Sequence, residues 1–469
     1  NSIICPVHYG LIFSERVSRH SVCVSCCHGS THEQTHFRTD SHLQRQLMRT
    51  RFADFDGLVR DGGAPVRTEP LAAWPFFDDE MVAAVSDVLR SGKVNYWTGK
   101  EVRRFEKDFA EFVGSNFTVA VSNGTVAIEL ALYALGIGAG DEVIVPPRTF
   151  IATASAVAMQ GAKPVFADID PVSGNITAET IAAVITPETR AIIVVHAAGW
   201  PCDMDPIMNL ARERGLRVIE DCAQAHGAKY NGRHVGTIGD VGAFSFCQDK
   251  IISTGGEGGM VVTDCPDLWE RAWSFKDHGK GWDAIQNCNQ QRTVFKWLHE
   301  SIGTNWRMTE MQAAIGLIAL RRLPVWVKAR QSHAALLDEE LSRVPGIEVL
   351  SPPVGTEHSY YKYYVNVSPE MLSDKWTRDE IVRSIQQEGI SCGSGLCCEI
   401  YLEKAIQNAG MAPSARLANA QKLGERCIML MVHPTLSREE IEDTVAAVAK
   451  VMRAVAAERE QSEIHRRAA

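Results

Sequence analysis

The run Val218-Ile219-Glu220-Asp221-Cys222-Ala223-Gln224-Ala225-His226-Gly227, and after it Phe244-Ser245-Phe246-Cys247-Gln248-Asp249-Lys250, decide the reading of this chain. Each opens as an apolar strand. The first ends in acid; the second leads to a lysine and then to Thr254-Gly255-Gly256-Glu257-Gly258-Gly259. In open α/β sheets ligands bind at the carboxyl ends of the strands, so an acid there is a candidate for chemistry. An acid and a lysine so placed meet the needs of pyridoxal phosphate. The lysine amine forms a Schiff base with the cofactor aldehyde, and the carboxylate keeps the pyridine nitrogen protonated so that the ring can accept electrons. At this level Glu220 and Asp221 both remain open as that carboxylate. Thr254–Gly259 lacks the Gly-Lys-Ser/Thr ending of a P-loop and follows the lysine, so it reads as tight backbone packing.

Outward from these runs, short β-branched stretches alternate with helical ones. Strands are expected at Val143–Val145, Pro164–Phe166, Ile192–Val195, Arg217–Ile219, Gly242–Phe246 and Gly259–Thr263. Helices are expected at Val126–Leu135, Ala152–Gln160, Ala178–Val184 and Asp205–Arg214. Such repetition builds a mostly parallel sheet covered on both faces. Ahead of it, Phe76–Leu89 reads as a helix, with Asp78, Asp79 and Glu80 at its positive end and Gly92 after its last turn. A long helical region runs from Thr309 to Leu341, where Leu323-Pro324 marks a bend. Beyond Pro345-Gly346 the style changes: a strand over Tyr360–Val367 and amphipathic helices over Arg378–Gln387 and Arg438–Ala457. The expected organisation is an extension over 1–47, an arm over 48–75, a large α/β domain over 76–325, a smaller α+β domain over 326–457 and a charged tail over 458–469.

The chain has 469 residues, with 48 basic against 57 acidic side chains and a formal net charge of -9. This balance argues against a general nucleic-acid binder. No apolar run reaches membrane-spanning length. Most of the 13 cysteines are scattered without repeated spacing, as free thiols in a reducing cytoplasm would be. Cys5, Cys23, Cys26 and Cys27 crowd the first thirty residues with His20, His28 and His32. A zinc knuckle needs a second well-spaced pair, which is missing, so no metal is expected. Met48 opens the first stretch that resembles the rest of the protein, which leaves 1–47 outside the expected functional fold.

Further motifs stand in order along the chain: Val121-Ser122-Asn123-Gly124-Thr125, Pro146-Pro147-Arg148-Thr149-Phe150 and Gly303-Thr304-Asn305-Trp306-Arg307-Met308-Thr309-Glu310-Met311-Gln312. Taken alone, Ser122–Thr125 is either a plain helix cap or a phosphate seat at a helix start. Phe150 alone is core or cofactor contact, and Asn305 alone is a cap. Together with the two opening runs, these motifs resemble the DegT/DnrJ/EryC1/StrS family of sugar aminotransferases, from Gly62 to the 450s. The resemblance implies pyridoxal phosphate fold type I: an α/β large domain with a mostly parallel, seven-stranded sheet between helices, plus the smaller C-terminal domain.

The resemblance also implies roles. Lys250 carries the cofactor and moves the proton; Asp221 faces the pyridine nitrogen; Gln224 bonds the ring hydroxyl oxygen. Phe150 stacks on the ring, and Gly124, Thr125 and Ser245 hold the phosphate. Asn305 reaches the phosphate of a neighbouring subunit, with Arg307 supporting its loop, which implies a homodimer with shared sites. Dehydratases of the family carry His where Lys250 stands, so the lysine favours transamination. Glutamate or glutamine is the implied donor, and a keto sugar, nucleotide-linked in most of the family, the implied acceptor. Arg148, Lys276, His278, Lys280 and Arg292 are basic residues that could meet a diphosphate. A keto-inositol acceptor and a non-catalytic cofactor-binding sensor are the alternatives. Cys247-Gln248-Asp249 departs from the family's usual His-Pro-Thr, which weakens analogy at the pocket wall.

Overall fold

Seven strands form one sheet in the computed structural model, which describes residues 57–286 and 298–468. They are β1 Phe117–Val121, β2 Glu142–Val145, β3 Lys163–Phe166, β4 Thr189–Val195, β5 Arg217–Asp221, β6 Val241–Ser245 and β7 Gly259–Thr263. Their spatial order is β1-β7-β6-β5-β4-β2-β3. Neighbours pair in parallel from β3 through β6, whereas β7 is antiparallel to both β1 and β6. The sheet is therefore mixed but mostly parallel. The strands carry apolar side chains on both faces because both are covered: Val143 and Val145 enter one core cluster, and Ile144 enters another.

The expected strands and helices are present, with ends displaced by a few residues. The first expected helix spans Asp79–Ser91, where Asp78 caps it by accepting from Met81 N (3.2 Å). Glu101–Val113 and Pro266–Lys276 add helices that the sequence reading passed over. Glu310–Leu341 is one continuous helix through Pro324, started by a reciprocal cap between Thr309 and Gln312. It spans the expected 325/326 boundary.

A second, four-stranded antiparallel sheet is built from Ile347–Val349, Tyr363–Val367, Cys427–Leu430 and Cys392–Gly393, in that spatial order. Its Tyr363–Val367 strand starts later than expected for a physical reason. Tyr360 has φ 48, and the Ser359 and Tyr361 N–H groups donate to Gly199 O (3.0 Å) and Ala198 O (2.8 Å) instead of to a neighbouring strand. The last helix, entered at Arg438, continues to Ala468, past the Ala457 end read from sequence. Glu458 fixes that extension by accepting from Trp376 Nε1 (2.7 Å) and pairing with Lys375. Among the described residues no helix is long and apolar enough to cross a membrane. The 1–47 extension with its cysteine-histidine cluster, the start of the 48–75 arm, and Arg292 lie outside the described residues.

Candidate active site

Asp221 is the last residue of β5, at the carboxyl edge of the sheet, and is 5% exposed. Its Oδ2 accepts from Thr153 Oγ1 (3.0 Å) and its Oδ1 from Ala223 N (3.0 Å). Burial pushes its carboxyl above the ordinary value, against these two donors and the nearby Lys250 charge. Asp221 has no ion-pair partner within bonding distance among the described residues. A buried carboxylate in that condition suits a cation brought by a ligand.

The neighbouring Glu220 points to the opposite side, as successive strand residues do. It is fully buried, and its oxygens accept from Gly236 N (2.8 Å), Ile238 N (2.7 Å) and Gly239 N (2.6 Å). His196 Nε2 adds a fourth bond at 3.0 Å, its tautomer set by Nδ1, which accepts from Cys202 N (3.0 Å). Burial opposes ionisation, but these donors outweigh it and hold the Glu220 carboxyl below its usual range. Glu220 thus anchors the 236–239 loop and leaves Asp221 to face a ligand. His196, Glu220 and Cys222 lie close enough to suggest a metal site. The same hydrogen bonds already occupy the imidazole nitrogens and both carboxylate oxygens, so this cluster is a structural network.

Gln224 is 4% exposed and accepts through Oε1 from Ala198 N (2.8 Å). Ala198 holds the left-handed conformation (φ 59), which turns its N–H toward Gln224. Nothing in the sequence marks this position, because the left-handed region favours glycine.

Lys250 is half-buried, in the loop after β6. Trp74, from the N-terminal arm, donates through Nε1 to Lys250 O (2.9 Å). The Lys250 ammonium lies 4.9 Å from the Tyr361 ring centroid, and the Tyr361 hydroxyl bonds Asp249. The departure at Cys247-Gln248-Asp249 therefore has a local purpose: Asp249 holds the aromatic ring on which the lysine ammonium rests. Burial and the Lys250 charge keep the enclosed His226 neutral, down at about 3. The Cys247 thiol is pushed up by burial and by Glu257, which makes it a packing residue rather than a nucleophile.

The Gly124–Leu135 helix begins beside this lysine loop. Asn123 caps it by accepting from Val126 N (3.0 Å), so the plain cap is real. The cap leaves the first N–H groups, at Gly124 and Thr125, without an intrahelical acceptor. A side chain on Gly124 would collide with Ser245, which closes β6 and is 7% exposed. Glycine here keeps a seat open between a helix start and a hydroxyl, the features that suit a phosphate. Phe150 is 65% exposed and thus not a core residue, while Thr149 and Thr153 behind it are buried and bonded to each other (2.8 Å). Asn305 is exposed and bridges Asp277; Arg307 and Lys280 both donate to buried Asp277 Oδ1, at 2.6 and 3.0 Å, and brace that loop.

Most of the basic residues noted in the sequence are not surface groups. Arg148, Lys276 and Lys280 are buried, and only His278 of the described group is exposed. Lys276 lies over the Tyr96 ring (3.7 Å) and Lys280 over Trp97 (4.2 Å). These cations stack on aromatic faces and do not line a diphosphate groove.

Comparison with known proteins adds to this geometry. The model of the DegT/DnrJ/EryC1/StrS aminotransferase family matches residues 75–449. An aminotransferase from Psychrobacter cryohalolentis, solved by X-ray, is 52% identical, with a TM-score of 0.79 over 81% of this chain and 98% of that one. A GDP-perosamine synthase of Caulobacter vibrioides is 38% identical over 361 residues, 76% of this chain and 91% of the relative. A UDP-N-acetyl-3-dehydro-alpha-D-glucosamine 3-aminotransferase of Acidithiobacillus ferrooxidans is 36% identical over 377 residues, 80% of this chain and 93% of the relative.

Proposed function

Because this chain belongs to the DegT/DnrJ/EryC1/StrS aminotransferase family, we propose that it moves an amino group from glutamate or glutamine to a keto sugar carried on a nucleoside diphosphate, with pyridoxal phosphate as cofactor. The observation that carries this reading is Asp221, a buried carboxylate with no ion-pair partner among the described residues, at the strand edge that Lys250 also serves. The residues fit the cofactor: an anion for its ring nitrogen, a glycine-floored seat for its phosphate, and an exposed aromatic for its ring face. The cofactor, when bound, supplies an electron sink for the bond to be broken.

The chain's own groups would do the rest. Lys250 would hold the cofactor, and its amine, when freed by the donor, would take the proton from the donor α-carbon and deliver it to the carbon that had been the cofactor aldehyde. Trp74 fixes the Lys250 backbone carbonyl, and the Tyr361 ring lies beside its ammonium. Burial raises the Asp221 carboxyl above its ordinary value, so a cation facing it would favour its charged form and couple that charge to cofactor binding. Gln224, held by Ala198 N–H, would aim its amide at the ring substituent. Phe150 would fix the ring plane, and Gly124, Thr125 and Ser245 would hold the phosphate. Asn305, exposed on its braced loop, would reach into a second copy of the chain. Two relatives carry GDP and UDP in their names, which supports a nucleotide-linked acceptor without choosing the nucleotide.

The test is to load the protein with cofactor in its amine form and offer nucleotide-linked keto sugars in turn. At least one should be aminated with return of the aldehyde form. Turnover with free keto acids but with none of the nucleotide-linked ketones would overturn the acceptor assignment.

A further inference from the structure

Arg148 is 4% exposed and takes part in no ion pair among the described residues. Its Nη1 reaches Ser173 O at 3.4 Å, longer than a good hydrogen bond, and its Nε has no partner. The guanidinium lies 4.7 Å from the Tyr364 ring centroid and touches Cys398. Gly174, at φ 69, makes room for it: a side chain there would overlap Nη1. A buried cation with no ion-pair partner is costly to desolvate, and an anion from outside the chain can offset that cost.

The guanidinium borders a narrow cavity of about 30 Å³, lined also by His358, Asn366, Trp200 and Cys427. The Asn366 amide oxygen is buried and without a partner, and a flip of the amide would put its NH₂ donors in that place. Burial and the Arg148 charge hold His358 down at about 3, which makes it a neutral wall. Among the lining groups Cys427 comes nearest to carrying negative charge: the neighbouring Cys398 thiol and the Arg148 and Arg378 charges pull its thiol below the ordinary value, although its Sγ donates to Ser394 O (3.5 Å). That sulfur already contacts Arg378 at 3.9 Å, so two guanidiniums share it. The cavity also shares Ala198 with the floor under Gln224.

We propose that this cavity binds a small monovalent anion, held by Arg148 with Asn366 as a second donor. The narrow space suits a halide or a single carboxylate group and not a sugar phosphate. The anion is either a dissolved ion or a carboxylate of the amino donor. The second source rests on the function proposed above; the site itself does not.

The test uses the full chain loaded with cofactor. Its thermal midpoint is followed as sodium chloride or sodium formate replaces sodium gluconate at constant ionic strength. The midpoint should rise with the logarithm of the small anion, as for any ligand of the folded state, and Arg148→Met should abolish the rise. If Arg148→Met does not fold, Asn366→Asp serves: it sets a carboxylate in the same space and should give a higher midpoint without anion dependence. Cys427→Ser should keep the rise. A flat wild type, a folded Arg148→Met that still responds, or a Cys427→Ser that does not, overturns the site. The source is read from L-glutamate. If the donor carboxylate is the occupant, Arg148→Met raises the glutamate KM at least tenfold and leaves the acceptor half-reaction alone. If a dissolved ion is the occupant, both KM values stay. Failure of the functional proposal looks different: glutamate then never converts the cofactor, whatever the midpoint does.

Discussion

Adjacent acids on β5 should respond in opposite ways to neutralisation. Glu220→Gln keeps one oxygen and puts an amide NH₂ where the other stood. Ile238 and Gly239 donate to one oxygen, and Gly236 and His196 to the other. Either orientation of the new amide therefore leaves two donors facing an NH₂. At about 1–3 kcal/mol for each buried donor left without an acceptor, the loss for two donors is about 2–6 kcal/mol. Unfolding entropy near 2.1 cal/mol/K per residue converts this to a fall of about 2–6 °C in a chain this long. The pH dependence has a definite sign. The folded Glu220 carboxyl is depressed below its usual 4.5, so its stabilisation is present above that pH and is lost as pH falls through the folded value. Glu220→Gln should thus converge on wild type in acid.

Asp221→Asn should behave oppositely. The folded pKa of Asp221 is raised without cofactor, so ionisation destabilises the apoprotein as pH rises above the ordinary 3.8. The variant escapes that cost: Thr153 can reverse its hydroxyl, and Ala223 N–H keeps an acceptor. Its apo midpoint at neutral pH should match or exceed wild type. Cofactor-dependent turnover should fall by about 10²–10³-fold, since a desolvated ion pair worth about 3–5 kcal/mol is lost. Calorimetry of both apo variants between acid and neutral pH, with turnover alongside, decides it. Equal destabilisation by the two substitutions, or an intact Glu220→Gln midpoint, would refute the assignment of one acid to the loop and the other to the ligand.

Other outcomes follow from the same geometry. Phe150→Ala should change the stability by no more than about 0.5 kcal/mol, because the ring is already exposed, yet weaken cofactor retention; dialysis followed by absorbance reads this. Gly124→Ala should lower affinity for pyridoxal phosphate at least tenfold through its collision with Ser245, while affinity for unphosphorylated pyridoxal changes less. Asn305→Ala and Lys250→Ala subunits, each inactive alone, should regain activity when mixed, because one of the two mixed sites is intact; no recovery after verified exchange would argue against shared sites.

Much of the fold was legible because periodicity and strand-edge chemistry are local. β-branched runs marked the parallel strands, and acid and lysine at their ends marked Asp221 and Lys250. What the sequence hid comes from long-range contact. Thr153 reaches Asp221 from another element, and Trp74 reaches Lys250 from the arm. Ala198 takes a left-handed turn that its residue type does not announce. Phe150 looked like core by hydropathy, but Pro146-Pro147 precede it where the β2 strand has ended and the chain turns outward. Arg148, Lys276 and Lys280 looked like surface cations; aromatic rings, which sequence spacing cannot pair with them, take them inside. The scattered thiols Cys398 and Cys427 meet only because the second sheet brings their segments together.

The central claim is that Lys250 both holds the cofactor and moves the proton. Its most direct test is rapid mixing of the cofactor-loaded protein with glutamate or glutamine while the absorbance spectrum is recorded. Wild type should convert the cofactor to its amine form with release of the matching 2-oxo acid, and Lys250→Ala should lack both the lysine-bound absorption band and the conversion. Conversion at an undiminished rate in Lys250→Ala, or a wild-type spectrum that neither donor changes, would contradict it.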